Sequence, residues 1–499
     1  MDISICRAFE KREYADILII PFFQEEDEKG HPITAFPIEE MKEYYLPPIR
    51  AKDFSGKHEE IVWVWGEGVA EKRLLLLGLG KKESFNLEQL RRAYGVVASE
   101  AKRKKAQSLT LLLPSSDLFS SFDITSNALT GFFSRNYSFN QFVTDEKVKE
   151  KRMSVKKVVL IAEDYTGVEE AAEHTTKVMK GVYLTRDLVN GNADDVTPEY
   201  LAARAFDLQK EYPAIHVENY SKEWIEKKGM GLLSAVSRAS SKDPQFVTIS
   251  YKGDPLSEEH TVLVGKAITF DTGGLNLKPV GSIESQKEDM AGAAVVLGAL
   301  KAAAELSLKM NITGVFAATE NAIGSHAYKP GDVYRSLSGK TVEISNTDAE
   351  GRLTLADVLY WVVTELAPTR IIDFATLTGA MVVALGGEAA GIMSNSDSLL
   401  KELVNAGNKI HERCWRFPLF EEYKEELKST IADMKSAPTR EGGAILAGVF
   451  LHEFVGKVPW AHLDIAGVAF CEKAKRYLPK MASGFGVRLM IQYFENLLK

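Results

Sequence analysis

Short apolar runs alternate with longer amphipathic stretches along the chain. Up to about residue 165 the runs ADILIIPFF, EIVWVW, RLLLLGLG, SLTLLLP and VKKVVLIA stand between charged segments. Runs of this length and composition predict strands, and the segments between them predict helices such as Glu88–Lys105. GLGKK at Gly78–Lys82 lacks the GxxxxGK[ST] spacing of a phosphate loop and predicts a strand end with a tight turn. Residues 167–209 read as helix, broken at Asn190–Pro198. From Asp243 the pattern sharpens. QFVTISYKG and TVLVGKAITF predict buried strands, and MAGAAVVLGALKAAAEL predicts a helix rich in small residues. Strands NITGVFAATE and KTVEIS, helix LTLADVLYWVVTEL and strand RIIDFATL follow. Apolar strands alternating with helices predict an α/β fold whose mostly parallel or mixed sheets carry helices on their faces. The expected organisation is two domains: an N-terminal α/β domain at 1–165, a helical linker at 166–200, and a larger C-terminal domain at 201–499.

Three of the C-terminal strands run straight into unusual polar sequence, in VLVGKAITFDTGG, VEISNTDAEGR and DFATLTGA. Ligands of such sheets bind beyond the carboxyl ends of strands, so these residues belong to one pool. NTDAEGRL places Asp348, Glu350 and Arg352 at alternate positions, which an extended segment would point to one side. Carboxylates crowded in this way cannot both ionise cheaply without a proton or a cation between them. GKAITFDTGGLNLKP adds Lys266, Asp271 and Lys278, and KEDM adds Lys287, Glu288 and Asp289. Singly, each of these side chains is more often a surface ion pair than a ligand, and only their grouping changes that. An oxygen-rich set without sulfur suits magnesium, manganese or zinc. Carboxylates able to bridge imply two ions about 3.5–4 Å apart, as in aminopeptidases and phosphatases. Gly273, Gly274 and Gly351 would let backbone approach them closely.

Composition narrows the field further. The 499 residues are 45% hydrophobic, carry a net charge of −8 and have a pI near 5.8, which argues against nucleic acid as the main partner. Cys6, Cys414 and Cys471 lie far apart with no CxxC, which fits a reducing compartment and excludes a thiolate zinc site. The N-terminus has no signal-peptide apolar core, and no apolar run is long enough to span a bilayer. A cytoplasmic protein without membrane attachment is expected. HEFVG at His452 and HERCW at His411 lack the second histidine of HExxH, and GxSxG is missing, so zincin and serine-hydrolase chemistry are excluded.

NTDAEGRL closely resembles the signature of the leucyl aminopeptidase (cytosol aminopeptidase) family. The resemblance covers about Arg186–Leu489 and includes GKAITFDTGGLNLKP, KEDMAGAA, ENAIGSHAYKPGDV, DFATLTGAM, REGGAILAGVFL and PWAHLDIAGVAF. It implies a dimetal peptidase that releases N-terminal residues, leucine and similar, from short peptides with a free N-terminus. Two ions, Mn²⁺ or Zn²⁺ with Mg²⁺ or Co²⁺ as substitutes, would be held by Lys266, Asp271, Asp289, Asp348 and Glu350. The resemblance makes Lys278 and Arg352 catalytic, the first toward the oxyanion and the second as holder of a bicarbonate base. Gln286, Asn346, Thr376 and Gly379 would contact substrate, and Gln286 stands where relatives usually have Met in the pocket for the first side chain. A homohexamer is implied as well.

Overall fold

The computed structural model describes residues 1–26, 30–66, 71 and 73–499. These fall into two compact units, residues 1–179 with 473–480 and residues 180–472 with 481–499.

The first unit is built on a seven-stranded sheet: β1 (Asp2–Ile5), β2 (Ile17–Glu26), β3 (Pro32–Thr34), β4 (Ile61–Trp65), β5 (Arg73–Gly78), β6 (Ser108–Leu112) and β7 (Lys157–Ile161). β1, β7, β6, β2 and β5 run parallel in that order, with β4 antiparallel at the edge and β3 antiparallel to β2. The expected apolar runs supply five of these strands. Asn86 caps the helix Leu87–Arg103 by accepting from the amides of Glu88 and Gln89, and Ser120 caps Ser121–Asn136. One face of the sheet buries Leu18, Ile20, Phe22, Leu74 and Leu76 against Tyr45, Ile49 and Phe54.

The second unit holds an eight-stranded sheet. Its strands are β8 (Ile215–Tyr220), β9 (Gln245–Lys252), β10 (His260–Asp271), β11 (Asn311–Asn321), β14 (Arg370–Ala375), β15 (Ala390–Ser394), β16 (Cys414–Arg416) and β18 (Trp460–Asp464). A smaller sheet is made of β12 (Val333–Arg335), β13 (Thr341–Glu343) and β17 (Met434–Lys435). The central strands β18, β14, β10 and β11 are parallel. β9 and β8 continue antiparallel on one side and β15 is antiparallel to β18 on the other, so the sheet is mixed.

The small-residue helix Ala291–Leu306 lies close on β10 and β14. A Cβ on Gly292 would fall 2.1 Å from the Phe374 oxygen, which explains why bulkier residues are absent from its first turn. The opposite face packs the helices Glu350–Glu365 and Gly443–His452 over Val262, Val264, Ile268 and Val315. Among the described residues, no helix is long and apolar enough to cross a membrane.

Candidate active site

At the carboxyl ends of β10 and β14 Lys266, Asp271, Lys278, Asp289, Asp348 and Glu350 come together, whereas Lys287 turns away to donate to the Asn190 carbonyl at 2.8 Å. Lys266 is part of β10, and its Nζ reaches Asp289 Oδ1 at 2.7 Å, Glu350 Oε1 at 2.9 Å and the Thr376 carbonyl at 3.0 Å. Lys278 Nζ lies 2.8 Å from Asp271 Oδ2 and 2.5 Å from Asp348 Oδ1. The side chains of Lys266, Asp289 and Glu350 are 3%, 4% and 1% exposed; Lys278 and Asp348 open outward at 14% and 33%. The inner part is therefore dry and the outer part reachable by a ligand.

The path of NTDAEGRL differs from the extended segment expected. β13 belongs to the small sheet, and Thr347–Ala349 form one turn of 3-10 helix before Glu350 opens the helix to Glu365. Asn346 sets this up, its Oδ1 accepting from the Asp348 amide at 2.9 Å. The short polar cap satisfies amides that a helix start leaves free, so a turn outcompetes continued strand. Asp348 and Glu350 converge all the same, through helical rather than pleated geometry. Ligand oxygens of Asp271, Asp348 and Glu350 lie within 4.8 Å of one another, a cluster that could hold a metal ion.

Charge makes the cluster unusual. Four carboxyl groups, of Asp271, Asp289, Asp348 and Glu350, surround two ammonium groups, so they cannot all ionise cheaply unless a further cation joins them. Burial pushes Asp271 up to about 7, with Glu350 adding to the rise and Lys278 and Lys266 resisting it. Asp289 is likewise raised well above an ordinary carboxylate by burial. Burial opposes the Lys278 ammonium, but Asp271 and Glu350 outweigh it and raise its pKa. Asp289 Oδ2 is buried without a hydrogen-bond partner. Burial lowers the Arg352 guanidinium to about 10, against the pull of Glu350 and Asp464. Its Nη1 donates to the Ser436 carbonyl at 2.8 Å, while its Nε is buried without a partner.

Space is tailored too. A Cβ on Gly351 would stand 2.5 Å from Lys266 Cε and 2.8 Å from its Nζ, so only glycine leaves room for the lysine between its carboxylates. Thr376 Oγ1 donates to Asp289 Oδ1 at 2.8 Å, and exposed Gly379 starts the next helix, Gly379–Leu385. Gln286 lies in the turn before Asp289, its Nε2 donating to the Ser282 carbonyl at 2.8 Å. Supporting residues escaped the sequence reading. Asp464 Oδ2 accepts from Thr378 Oγ1 at 2.7 Å and its Oδ1 from the Leu377 amide at 3.2 Å, anchoring the loop that carries Thr376. The available signal was a polar residue closing an apolar strand, as in WAHLD.

Comparison with known proteins bears on this geometry. The catalytic domain of the cytosol aminopeptidase family matches residues 183–491, and the family's N-terminal domain matches residues 19–146. A probable cytosol aminopeptidase of Protochlamydia amoebophila is 44% identical over 100% of this chain and 99% of its own. One from Chlamydia abortus is 45% identical over 98% of this chain and 97% of its own. Among solved structures, a tomato leucine aminopeptidase variant superposes with a TM-score of 0.87 at 32% identity, covering 99% of this chain and 96% of its own. The bottromycin maturation enzyme BotP in complex with Mn gives 0.85 at 29% identity, covering 97% and 100%. The chain belongs to the cytosol aminopeptidase family. It is an aminopeptidase, a hydrolase of peptides.

Proposed function

We propose that the protein is a two-metal aminopeptidase releasing N-terminal residues, leucine and similar, from short peptides. The observation that carries this reading is the excess of buried carboxyl groups over the ammonium groups between them. Four carboxylates gather around two ammonium groups, and one buried carboxylate oxygen has no partner. Lys266, Asp271, Asp289, Asp348 and Glu350 would hold the two ions, an oxygen-rich set with one nitrogen that fits Mn²⁺ or Zn²⁺ and accepts Mg²⁺ or Co²⁺. The Mn complex of BotP supports manganese. When bound, the ion pair supplies a water activated near neutral pH and a Lewis acid for the carbonyl.

The chain's own residues complete the chemistry. To act as a ligand Lys266 must be neutral, giving up the proton that Asp289, Glu350 and Asp271 stabilise on it. Lys278 keeps its proton and donates toward the oxyanion that develops on the scissile carbonyl. Arg352 has an unpartnered Nε and would hold a bicarbonate, the base that carries the proton to the leaving amine. Gln286, Asn346, Thr376 and Gly379 would line the place of the first residue and its amine. Gln286 brings an amide where an apolar pocket suits leucine, which shifts preference toward polar first residues. The same reading makes the protein a cytoplasmic homohexamer, as its family resemblance implies.

Hydrolysis of a panel of aminoacyl-amides before and after exhaustive chelation tests the reading. Activity is expected to fall to background and to return with Mn²⁺, Co²⁺ or Zn²⁺. Turnover that survives complete metal removal would overturn it.

A further inference from the structure

β11 ends on a side chain that the chemistry above leaves unused. Asn321 is fully buried, and its Nδ2 donates to Asp271 Oδ1 at 2.8 Å and to the Thr347 carbonyl at 3.0 Å, with Glu350 Oε2 3.5 Å away. Every neighbour on that edge of the amide is an acceptor, which fixes the amide's orientation with the nitrogen inward. The backbone of Asn321 is held as firmly, its carbonyl accepting from the Thr272 amide at 2.9 Å and from Thr272 Oγ1 at 2.8 Å. β10 and β11 shift register between Ile268 and Asp271, and the shift sets Asp271 opposite Asn321.

One rigid group thus touches three separate elements: the end of β10, the 3-10 turn carrying Asp348, and the first residue of the helix from Glu350. Tyr328, also buried, braces the same turn by donating its hydroxyl to the Thr347 carbonyl at 2.7 Å. A neutral amide suits this place, because it orients a carboxylate without neutralising the charge that a cation would need.

We infer that Asn321 is a positioning residue whose amide sets the spacing of Asp271 and Glu350 and so sets the affinity of the site for divalent ions. The inference rests on the two-metal reading. Its test is Mn²⁺ titration of the metal-stripped protein in competition with a chelator, beside the melting midpoint of the same stripped protein. Wild-type protein that binds no Mn²⁺ would refute the metal reading itself. With wild-type binding established, Asn321→Leu, close in volume and unable to donate, is expected to weaken Mn²⁺ about 10–100-fold while the stripped protein melts near wild type. Unchanged Mn²⁺ affinity overturns the inference, including where the stripped protein loses stability, since a merely structural asparagine would behave that way. Asn321→Ala, which likewise cannot donate, carries the same test with the same threshold if the leucine variant does not fold.

Discussion

The two units share a plan, yet their treatment of charge differs. Each has a core of parallel strands whose carboxyl ends run into polar sequence. In the first unit the strand ends LLPSSD and LIAED place Ser115, Asp117, Glu163 and Asp164 at exposed positions. Two of its sheltered charges are paired one to another, Arg12 with Glu71 at 2.7 Å and Arg91 with Glu88 at 2.9 Å. In the second unit the strand ends draw four carboxylates and two lysines under cover without matching them. Parallel strand ends alone therefore do not make a catalytic site. The second unit adds carboxyl groups in excess of ammonium groups at a place of low dielectric, where a ligand cation would be stabilised.

The contrast can be broken hardest within the second unit's own core. His462 Nδ1 and Asp373 Oδ1 lie 2.6 Å apart, both fully buried, and Trp460 Nε1 donates to the other Asp373 oxygen at 2.7 Å. This pair is matched, and removing one member strands the other. Asp373→Ala should cost about 3–5 kcal/mol in urea unfolding. Burial opposes the His462 cation, but Asp373 outweighs it and raises the imidazole pKa. The pair's contribution is then complete below the unfolded histidine value of about 6.5 and fades as pH rises through the raised folded value. Urea midpoints should fall as pH rises through that window in the wild type, and Asp373→Asn should flatten the slope.

The next effect is catalytic. If Lys278 is the charge that meets the oxyanion, Lys278→Ala should lower kcat about 10²–10³-fold with little change in KM. A loss confined to KM would make it a ground-state contact. The smallest effect belongs to the first unit. Lys105 and Glu150 pair at 2.8 Å with both side chains more than half exposed, and solvent screens such a pair. Glu150→Gln should leave the melting midpoint where it was, and a clear shift would show that the first unit also depends on its surface charge.

Much of this was legible in the sequence. Apolar runs located the strands because burial on both faces of a parallel sheet requires continuous hydrophobicity. The charges in GKAITFDTGGLNLKP, KEDM and NTDAEGRL stood out as one pool, the family resemblance picked Lys266, Asp271, Asp289, Asp348 and Glu350 from it, and the structure brings these five together. The turn at Thr347–Ala349 was not legible as a turn, since alternating Asp348, Glu350 and Arg352 imitates a strand until the cap from Asn346 is seen. The antiparallel placement of β8, β9 and β15 leaves no local trace either, because pairing partners lie far apart in the chain. Asn321 and Asp464 were hidden for another reason. They touch the other site residues rather than a ligand, and a single polar letter at a strand end does not announce its partners.

Gly351 has a consequence for anyone engineering the protein. It occupies the second position of the helix Glu350–Glu365, where helix propensity favours alanine over glycine by about 1 kcal/mol. A search for thermostable variants guided by propensity would choose Gly351→Ala early. The added methyl would press against Lys266, a side chain already confined by Asp289 and Glu350. Overpacking of that kind costs about 1–3 kcal/mol, more than the helix gains, so propensity alone misjudges this position.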